Sequence, residues 1–119
     1  METNVGTMIT AAVHWGAGEP AKLEELTLSA PGPEEVRIAV DACAICHSDL
    51  MFIDGGWATE FPVVFGHEIA GRVAETGSSV TDLTAGTSVV VSLIATCGQC
   101  HACQQGHDVA CENPPASSS

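Results

Sequence analysis

Apolar positions in this chain alternate with polar ones or form short runs, a pattern that predicts β-strands rather than helices. Glycine and proline separate the runs, most clearly at Pro31-Gly32-Pro33 and at Gly66, Gly77 and Gly86. The pattern predicts a mainly β fold, a small barrel of five or six short, mostly antiparallel strands. The segments assigned to strands are 8–13, 22–28, 35–40, 69–75 and 87–94.

Helical signals are few in this sequence. Residues 48–53 and the stretch around 102–105 favour short helices, so we expect one or two helices in total. The end of the chain, residues 114–119, consists of proline, alanine and serine and has too little apolar content to fold. We therefore expect an ordered domain over residues 1–113 and a disordered tail after it.

Length and charge narrow the possible functions. The 119 residues are enough for one domain, and the 45% hydrophobic content is ordinary for a globular fold. Fifteen acidic residues against three basic ones give a formal net charge of -12, which would repel nucleic acid. No segment approaches the roughly 20 consecutive apolar residues of a membrane helix, and residues 1–10 lack the pattern of a secretion signal. We expect a soluble, cytoplasmic protein without nucleic-acid or membrane partners.

Six cysteines in such a protein suggest metal binding or reactive thiols, because the cytoplasm keeps thiols reduced. Four of them follow the spacing Cys-x2-Cys-x2-Cys-x7-Cys, which suits one tetrahedral zinc ion. Four thiolates leave no position for water, so this zinc would be structural. Disulfides and an iron–sulfur cluster are the alternatives, but neither suits this spacing. The four residues, called the cysteine quartet below, are Cys97, Cys100, Cys103 and Cys111.

A second group of potential zinc ligands lies upstream. Cys46 begins the run Cys-His-Ser-Asp, and His67 and Glu68 follow about twenty residues later. Two or three protein ligands are what a catalytic zinc needs in order to keep a position open for substrate. From the residues alone, a buried structural cysteine and a core histidine are the favoured explanation of the pattern.

These motifs occur together in one known family. The chain from about residue 8 to residue 111 resembles the N-terminal, GroES-like catalytic domain of the medium-chain zinc-dependent alcohol dehydrogenases. The family pattern is a Cys-His-Ser/Thr-Asp run, a Gly-His-Glu run, two glycine landmarks and a four-cysteine lobe, in that order. This chain matches it at Cys46-His47-Ser48-Asp49, Gly66-His67-Glu68, Gly71, Gly77 and the cysteine quartet.

The resemblance implies a catalytic zinc held by Cys46 and His67, with Glu68 beside it or as an alternate ligand. It also implies that Asp49 orients His67, since a carboxylate on the far ring N–H of a ligating imidazole fixes its tautomer. Ser48 would take the proton from the alcohol. Residues 95–112 would form the lobe around the structural zinc.

The resemblance further implies an NAD or NADP cofactor, with His47 near its pyrophosphate. Trp57 would wall an apolar substrate pocket, together with Phe65 or Leu93, although ordinary core packing explains these residues as well. Two features depart from the family. No Gly-x-Gly-x-x-Gly turn of a cofactor-binding Rossmann domain is found, and Met51 stands where many members carry a proton-relaying histidine.

The leading interpretation is the catalytic domain of a zinc-dependent alcohol dehydrogenase, truncated and inactive alone, with a small alcohol or aldehyde as substrate. A non-enzymatic, zinc-stabilised binding module is the main alternative. A thiol redox sensor using Cys43 and Cys46 ranks last, because acidic surroundings would raise the thiol pKa. Without a second domain, we expect exposed apolar surface around Trp57, Phe61 and Phe65, and self-association through it. His101 and His107 are expected at the surface.

Overall fold

Strands dominate the regular structure of residues 6–115, the part of the chain that the computed structural model describes. Two short α-helices and one 3-10 turn complete it. The strands are β1 (Thr7–Val13), β2 (Lys22–Leu28), β3 (Val36–Ala44), β4 (Glu68–Thr76) and β5 (Ser88–Val91). The helices are α1 (His47–Ile53) and α2 (His101–Gln104), and the 3-10 turn spans Asp108–Ala110.

The strands form two antiparallel sheets. β1 pairs with β2 along its whole length, from Thr7 opposite Leu28 to Val13 opposite Lys22. β3, β4 and β5 form the second sheet in that order. The mainly β, antiparallel architecture with few short helices is therefore confirmed.

Two strand boundaries differ from the sequence pattern. β3 continues past the predicted end at residue 40 to Ala44, because its last residues pair with the start of β4. β5 is shorter than predicted and ends at Val91, after which the Ser92 hydroxyl accepts a hydrogen bond from the Ile94 amide at 3.1 Å. Both differences arise from contacts that a local apolar pattern does not report.

The buried centre of the molecule is small. In β1, Ile9, Ala11 and Val13 point inward, and only Val13 is fully buried. In β4, Val73 lies in the middle of the three-stranded sheet and is 2% exposed. These inward positions follow the period of two that a strand imposes on its side chains. Val13 and Val73 are the two hydrophobic residues of the described range that count as buried.

Polar contacts and one glycine join the parts of the fold. Arg37 on β3 donates from Nη1 to the Thr7 hydroxyl on β1 at 2.8 Å, so it links the two sheets. The Gly77 amide, just after β4, donates to the Glu35 carbonyl at 2.7 Å. A Cβ atom at Gly77 would overlap the carbonyl oxygen of Gly32, so only glycine allows this approach.

Many large apolar side chains remain exposed. Fourteen of them are at least 36% exposed within residues 6–115, among them Leu23, Ile45 and Val90. No helix in this range is long and apolar enough to cross a membrane. The predicted disordered tail lies mostly outside the described residues, and the two residues of it that are described, Pro114 and Pro115, are exposed and have no regular structure.

Candidate metal centres

The pairing of β3 with β4 brings the upstream ligands together. In this antiparallel register Ala44 lies opposite Glu68, so the residues that follow β3 stand beside those that precede β4. Cys46 and His67 occupy these two places. Gly66, directly before His67, has a φ of 131°, which favours glycine. A ligand atom from each of Cys46, His67 and Glu68 lies within 4.8 Å of the others.

Asp49 connects the two sides of this group. It is 7% exposed and sits in the first turn of α1, where its Oδ2 accepts a hydrogen bond from the Cys46 amide at 3.2 Å. Its Oδ1 lies 3.2 Å from Nδ1 of His67. One buried carboxylate therefore orients both the backbone of Cys46 and the ring of His67. The contact with His67 is the one that the family resemblance implies, and the contact with Cys46 was not anticipated from the sequence.

Hydrogen bonds to the Cys46 sulfur favour the ionised, thiolate form of this residue. The Ser48 hydroxyl donates to its Sγ at 3.2 Å, and this bond, with the Ser48 amide and His67, lowers the pKa of Cys46. Glu68 acts in the opposite direction and raises it by a smaller amount. The expectation that acidic surroundings would raise this thiol pKa is therefore wrong, because the hydrogen-bond donors outweigh the nearby carboxylate.

The surroundings of His67 set the state of its ring. Its contact with Cys46 raises the pKa of the imidazole, and Asp49 adds to the increase. Both effects favour the protonated ring, and a metal ion bound by His67 would displace the extra proton. When Nδ1 carries the proton and donates it to Asp49, the other ring nitrogen has a free lone pair. One sulfur, one nitrogen and one carboxylate within 4.8 Å match the donor set of a catalytic zinc, which uses three protein ligands and one open position.

The cysteine quartet forms a second group at the other end of the chain. Its four sulfurs lie within 4.8 Å of one another. A tetrahedral zinc with Zn–S bonds of roughly 2.3 Å needs sulfurs roughly 3.8 Å apart, which this group approaches. Cys100 precedes α2, and the 3-10 turn returns the chain so that Cys111 joins the others. All six cysteines are free thiols, so the disulfide alternative does not hold in this structure.

Backbone amides surround the quartet sulfurs. Cys97 Sγ accepts from the amides of Gln99 and Cys100 at 3.4 and 3.3 Å, and Cys100 Sγ accepts from the amides of Cys103 and Glu112, both at 3.5 Å. The Glu112 and Cys103 amides lower the pKa of Cys100 to about 6.

Burial acts in the opposite direction on the third thiol of the quartet, Cys103. It raises the pKa of Cys103 to about 12, and the neighbouring thiols add to the increase. Four ionised thiolates at this spacing would repel one another. A divalent cation bound between them would offset their negative charge. The donor set fits a zinc ion with no open position.

The remaining predicted residues belong to neither ligand group. His47 is exposed at the first position of α1, and Trp57, after that helix, is 49% exposed. Leu93 is 72% exposed, and Cys43 is exposed on β3 and belongs to neither ligand group. His101 and His107 are exposed, as expected.

Two aromatic residues that we expected at an open surface are half-buried. The rings of Phe61 and Phe65 are 6.5 Å apart, and Phe65 also stacks on Phe52 at 5.9 Å. His14 joins them, 5.1 Å from Phe65. Sequence reasoning missed this grouping, because nothing in the local pattern around residue 14 indicates a partner near residue 63.

Two clefts lie away from both ligand groups. One cavity of about 440 Å³ opens between β2 and β3, and a shallower one lies beside Pro33 and Ser79. Neither is lined by any residue predicted for the site. The upstream group lies outside both of these clefts, with Glu68 exposed and Cys46 and His67 half-buried.

Comparison with known proteins gives one family. Residues 32–118 match the alcohol dehydrogenase GroES-like domain. The NDMA-dependent alcohol dehydrogenase of Amycolatopsis methanolica is 43% identical to the chain over 102 residues, which are 86% of this chain and 28% of that protein. The chain thus spans a little over a quarter of the length of this relative.

Solved structures agree with this result. A cobalt- and zinc-bound thermostable alcohol dehydrogenase from Pyrobaculum aerophilum is 35% identical and has a TM-score of 0.78, covering 89% of this chain and 33% of its own. CAD from Helicobacter pylori, complexed with NADP(H), is 27% identical with a TM-score of 0.74, covering 91% of this chain and 32% of its own. The expected GroES-like fold is confirmed by these similarities.

Proposed function

Since the chain belongs to the alcohol dehydrogenase GroES-like domain family, we propose that it forms the metal- and alcohol-binding part of a zinc-dependent oxidoreductase. The reaction is the oxidation of an alcohol to an aldehyde or ketone, or its reverse, with NAD or NADP as the hydride acceptor. The observation that carries the proposal is the convergence of Cys46, His67 and Glu68, with Asp49 behind them.

Cys46 and His67 would hold the catalytic zinc, and Glu68 would serve as the third or an alternate ligand. When bound, the metal supplies a Lewis acid that lowers the pKa of an alcohol hydroxyl beside it. Asp49 keeps the His67 ring in one orientation and one tautomer, because its carboxylate accepts the Nδ1–H. The quartet would hold the structural zinc that organises residues 97–111.

Ser48 is the residue that we propose accepts the alcohol proton. Its hydroxyl lies 3.2 Å from the Cys46 sulfur and is half-buried, so it borders the open side of the ligand group. Met51, one turn further along α1, carries no ionisable group and cannot pass the proton on. As Ser48 takes up the alcohol proton, it releases its own hydroxyl proton, which we propose passes directly to solvent. Trp57 would wall the apolar part of the substrate site.

The cofactor site is defined less fully by this chain. His47 is exposed beside Ser48 and is the residue that we assign to the cofactor's phosphates. Residues 6–115 contain no Gly-x-Gly-x-x-Gly turn between a strand and a helix, so they supply no pyrophosphate cradle of that type. We therefore expect no alcohol oxidation from the 119-residue chain by itself.

Zinc content tests the proposal most directly. The chain would be purified under reducing conditions without chelator and compared with Cys46→Ser and with a matched control, Cys43→Ser. Cys43 is exposed and lies in neither ligand group, so its replacement should leave the metal content unchanged. We expect about two zinc ions in the wild type and in the control, and about one in Cys46→Ser.

The alternative is a zinc-stabilised binding module without catalysis, which needs only the quartet. About one zinc ion in both the wild type and Cys46→Ser would favour this module and contradict the proposal. A second measurement tests the open position. Adding a small alcohol to the cobalt-loaded chain should change the visible spectrum of the wild type and leave that of Cys46→Ser unchanged.

We propose a cytoplasmic location for the protein. All six cysteines are free thiols, and the five of them that belong to the two ligand groups would have to remain reduced to bind zinc. The cytoplasm provides these conditions, because its thiol pools keep cysteines reduced. Finding a disulfide between any two of the six cysteines in protein isolated from its native cells would contradict this location.

A further inference from the structure

Five aromatic rings pack together beside the upstream ligand group. Phe65 lies in the middle, 5.1 Å from His14, 5.9 Å from Phe52 and 6.5 Å from Phe61, and Trp57 meets Phe52 edge-on at 5.3 Å. We call these five residues the aromatic cluster. Its members come from three separate parts of the chain, namely the end of β1, the helix α1 with the turn after it, and residues 61–65.

His14 is the member that ties residues 61–65 to the first sheet. Its amide donates to the Val63 carbonyl at 2.8 Å, and its carbonyl accepts from the Val63 amide at 2.9 Å, which makes an isolated antiparallel bridge. Its ring packs at 59° against Phe65. Its Nδ1 is buried and has no hydrogen-bond partner within residues 6–115. The ring therefore acts through packing rather than through a polar contact of that nitrogen.

The cluster has a direct connection to the ligand group. Phe65 is two residues before His67, and Phe52 is on the same helix as Asp49, which contacts the His67 ring. The stacking of Phe65 on Phe52 thus fixes the distance between the segment that carries His67 and the helix that carries Asp49. The Phe65 ring therefore contacts both His14 and Phe52, so the packing of His14 bears on the position of Phe65.

We propose that His14 is a positioning residue for the candidate catalytic zinc site, acting through Phe65 to hold His67 against Asp49 and Cys46. This inference rests on the proposed function, since it assigns a role in that site. A ring at position 14 is what the packing requires, so phenylalanine should replace histidine and alanine should not. Loss of the ring leaves a gap beside Phe65, into which the segment with His67 can relax.

Cobalt binding by the full chain tests this role. Co²⁺ bound by four thiolates and Co²⁺ bound by one thiolate and one imidazole absorb differently, so the two sites can be titrated separately in one sample. We expect His14→Ala to weaken binding at the Cys46–His67 site by about tenfold, the low end for residues that orient metal ligands. His14→Phe should stay within about twofold of the wild type, and His101→Ala, an exposed histidine, serves as the control.

The quartet spectrum reports whether each variant is folded. Unchanged binding at the Cys46–His67 site in His14→Ala, or an equal loss in His14→Phe and His14→Ala, would overturn the role of His14.

A second readout does not depend on metal at that site. In the chain labelled with ¹⁵N-histidine, we expect one tautomer of the His67 ring in the wild type and in His14→Phe, and a tautomer mixture in His14→Ala.

This second readout separates the two proposals. If the wild type takes up no cobalt at Cys46 and His67 while His14→Ala still mixes the His67 tautomers, the proposed function fails and the role of His14 is supported. If the wild type binds cobalt there and His14→Ala changes neither the affinity nor the tautomer, the proposed function is supported and the role of His14 is overturned.

Discussion

Asp49 Oδ1 lies 3.2 Å from His67 Nδ1, so a buried carboxylate at the start of a helix orients an imidazole eighteen residues further along the chain. The other oxygen of the same carboxylate accepts from the Cys46 amide. The geometry of both proposed ligands therefore depends on one side chain that is not itself a ligand.

Asp49→Asn should weaken metal binding at the Cys46–His67 site. The amide keeps the size of the side chain but removes its charge, so the Nδ1–H of His67 loses its strongest acceptor. We expect a 10- to 100-fold loss of cobalt affinity at this site, the usual effect of removing a residue that orients a metal-bound histidine. Asp41→Asn is the matched control, because Asp41 is exposed and pairs with Arg72. Equal affinity in Asp49→Asn and the wild type would contradict the prediction.

Removal of metal from the quartet should unfold residues 97–111 and leave the sheets in place. Without a cation the four sulfurs cannot all remain ionised so close together, and the metal–sulfur bonds that hold this segment are lost. We expect a chelator to remove the amide protection of α2 in hydrogen exchange, with little change in β3 and β4. Cys100→Ser should reproduce this pattern without chelator. Cys43→Ser, in neither ligand group, should behave as the wild type, and a global loss of protection would contradict the local effect.

Gly77→Ala should destabilise the protein strongly. The new Cβ would overlap the carbonyl oxygens of Gly32 and Pro33, and both belong to backbone that cannot move without breaking the bond from the Gly77 amide to Glu35. We expect a loss of roughly 3 kcal/mol or more in the free energy of unfolding, measured by urea denaturation. Gly18→Ala is the control, because its Cβ meets no atom and only the φ of 75° opposes it. We expect about 1 kcal/mol for that change.

Arg37 and Arg72 should differ in their contribution to stability. Arg37 pairs with Glu75 at 2.7 Å, is 23% exposed and also donates to Thr7 on the other sheet. Arg72 pairs with Asp41, and both side chains are more than half exposed. We expect Arg37→Ala to cost about 1 kcal/mol in urea denaturation, since the hydrogen bond between the sheets is lost and solvent screens the ion pair. Arg72→Ala should leave the midpoint unchanged. A larger effect from Arg72 would contradict this order.

Self-association should increase with protein concentration. Large apolar side chains are exposed on both sheets, with Leu23 at 79% and Val90 at 83%, and exposed apolar surface favours contacts between molecules. We expect sedimentation velocity to show oligomers at high concentration and fewer of them in the double variant Leu23→Ser, Val90→Ser. A monodisperse monomer in the wild type at every concentration would contradict the expectation.

Much of the fold and the quartet could be predicted from local sequence. β2 has the bounds that the local pattern predicts, residues 22–28, because its three leucines lie in a short segment between Pro20 and Pro31. The quartet spans fifteen residues, so its spacing already limits how far apart its sulfurs can be. Strand β3 was predicted too short, because its last residues are exposed and are strand only through pairing with β4.

The contacts within the upstream group could not be predicted from local sequence. The family resemblance indicated Cys46, His67 and Asp49, whereas the residues alone favoured a buried cysteine and a core histidine. The double role of Asp49 depends on helix α1 starting beside the β3–β4 pairing. The contact of His14 with Phe65 joins residues fifty-one positions apart and has no local signal.

The sequence by itself determined the strand-rich fold, the cysteine spacing and the ligand types, because each depends on short segments of the chain. Only the tertiary structure decided which carboxylate orients Cys46 and His67, and which aromatic ring supports Phe65. The physical reason is that these contacts depend on the register between β3 and β4 and on the bridge from β1 to Val63, and such long-range pairings are set by the packing of the whole domain.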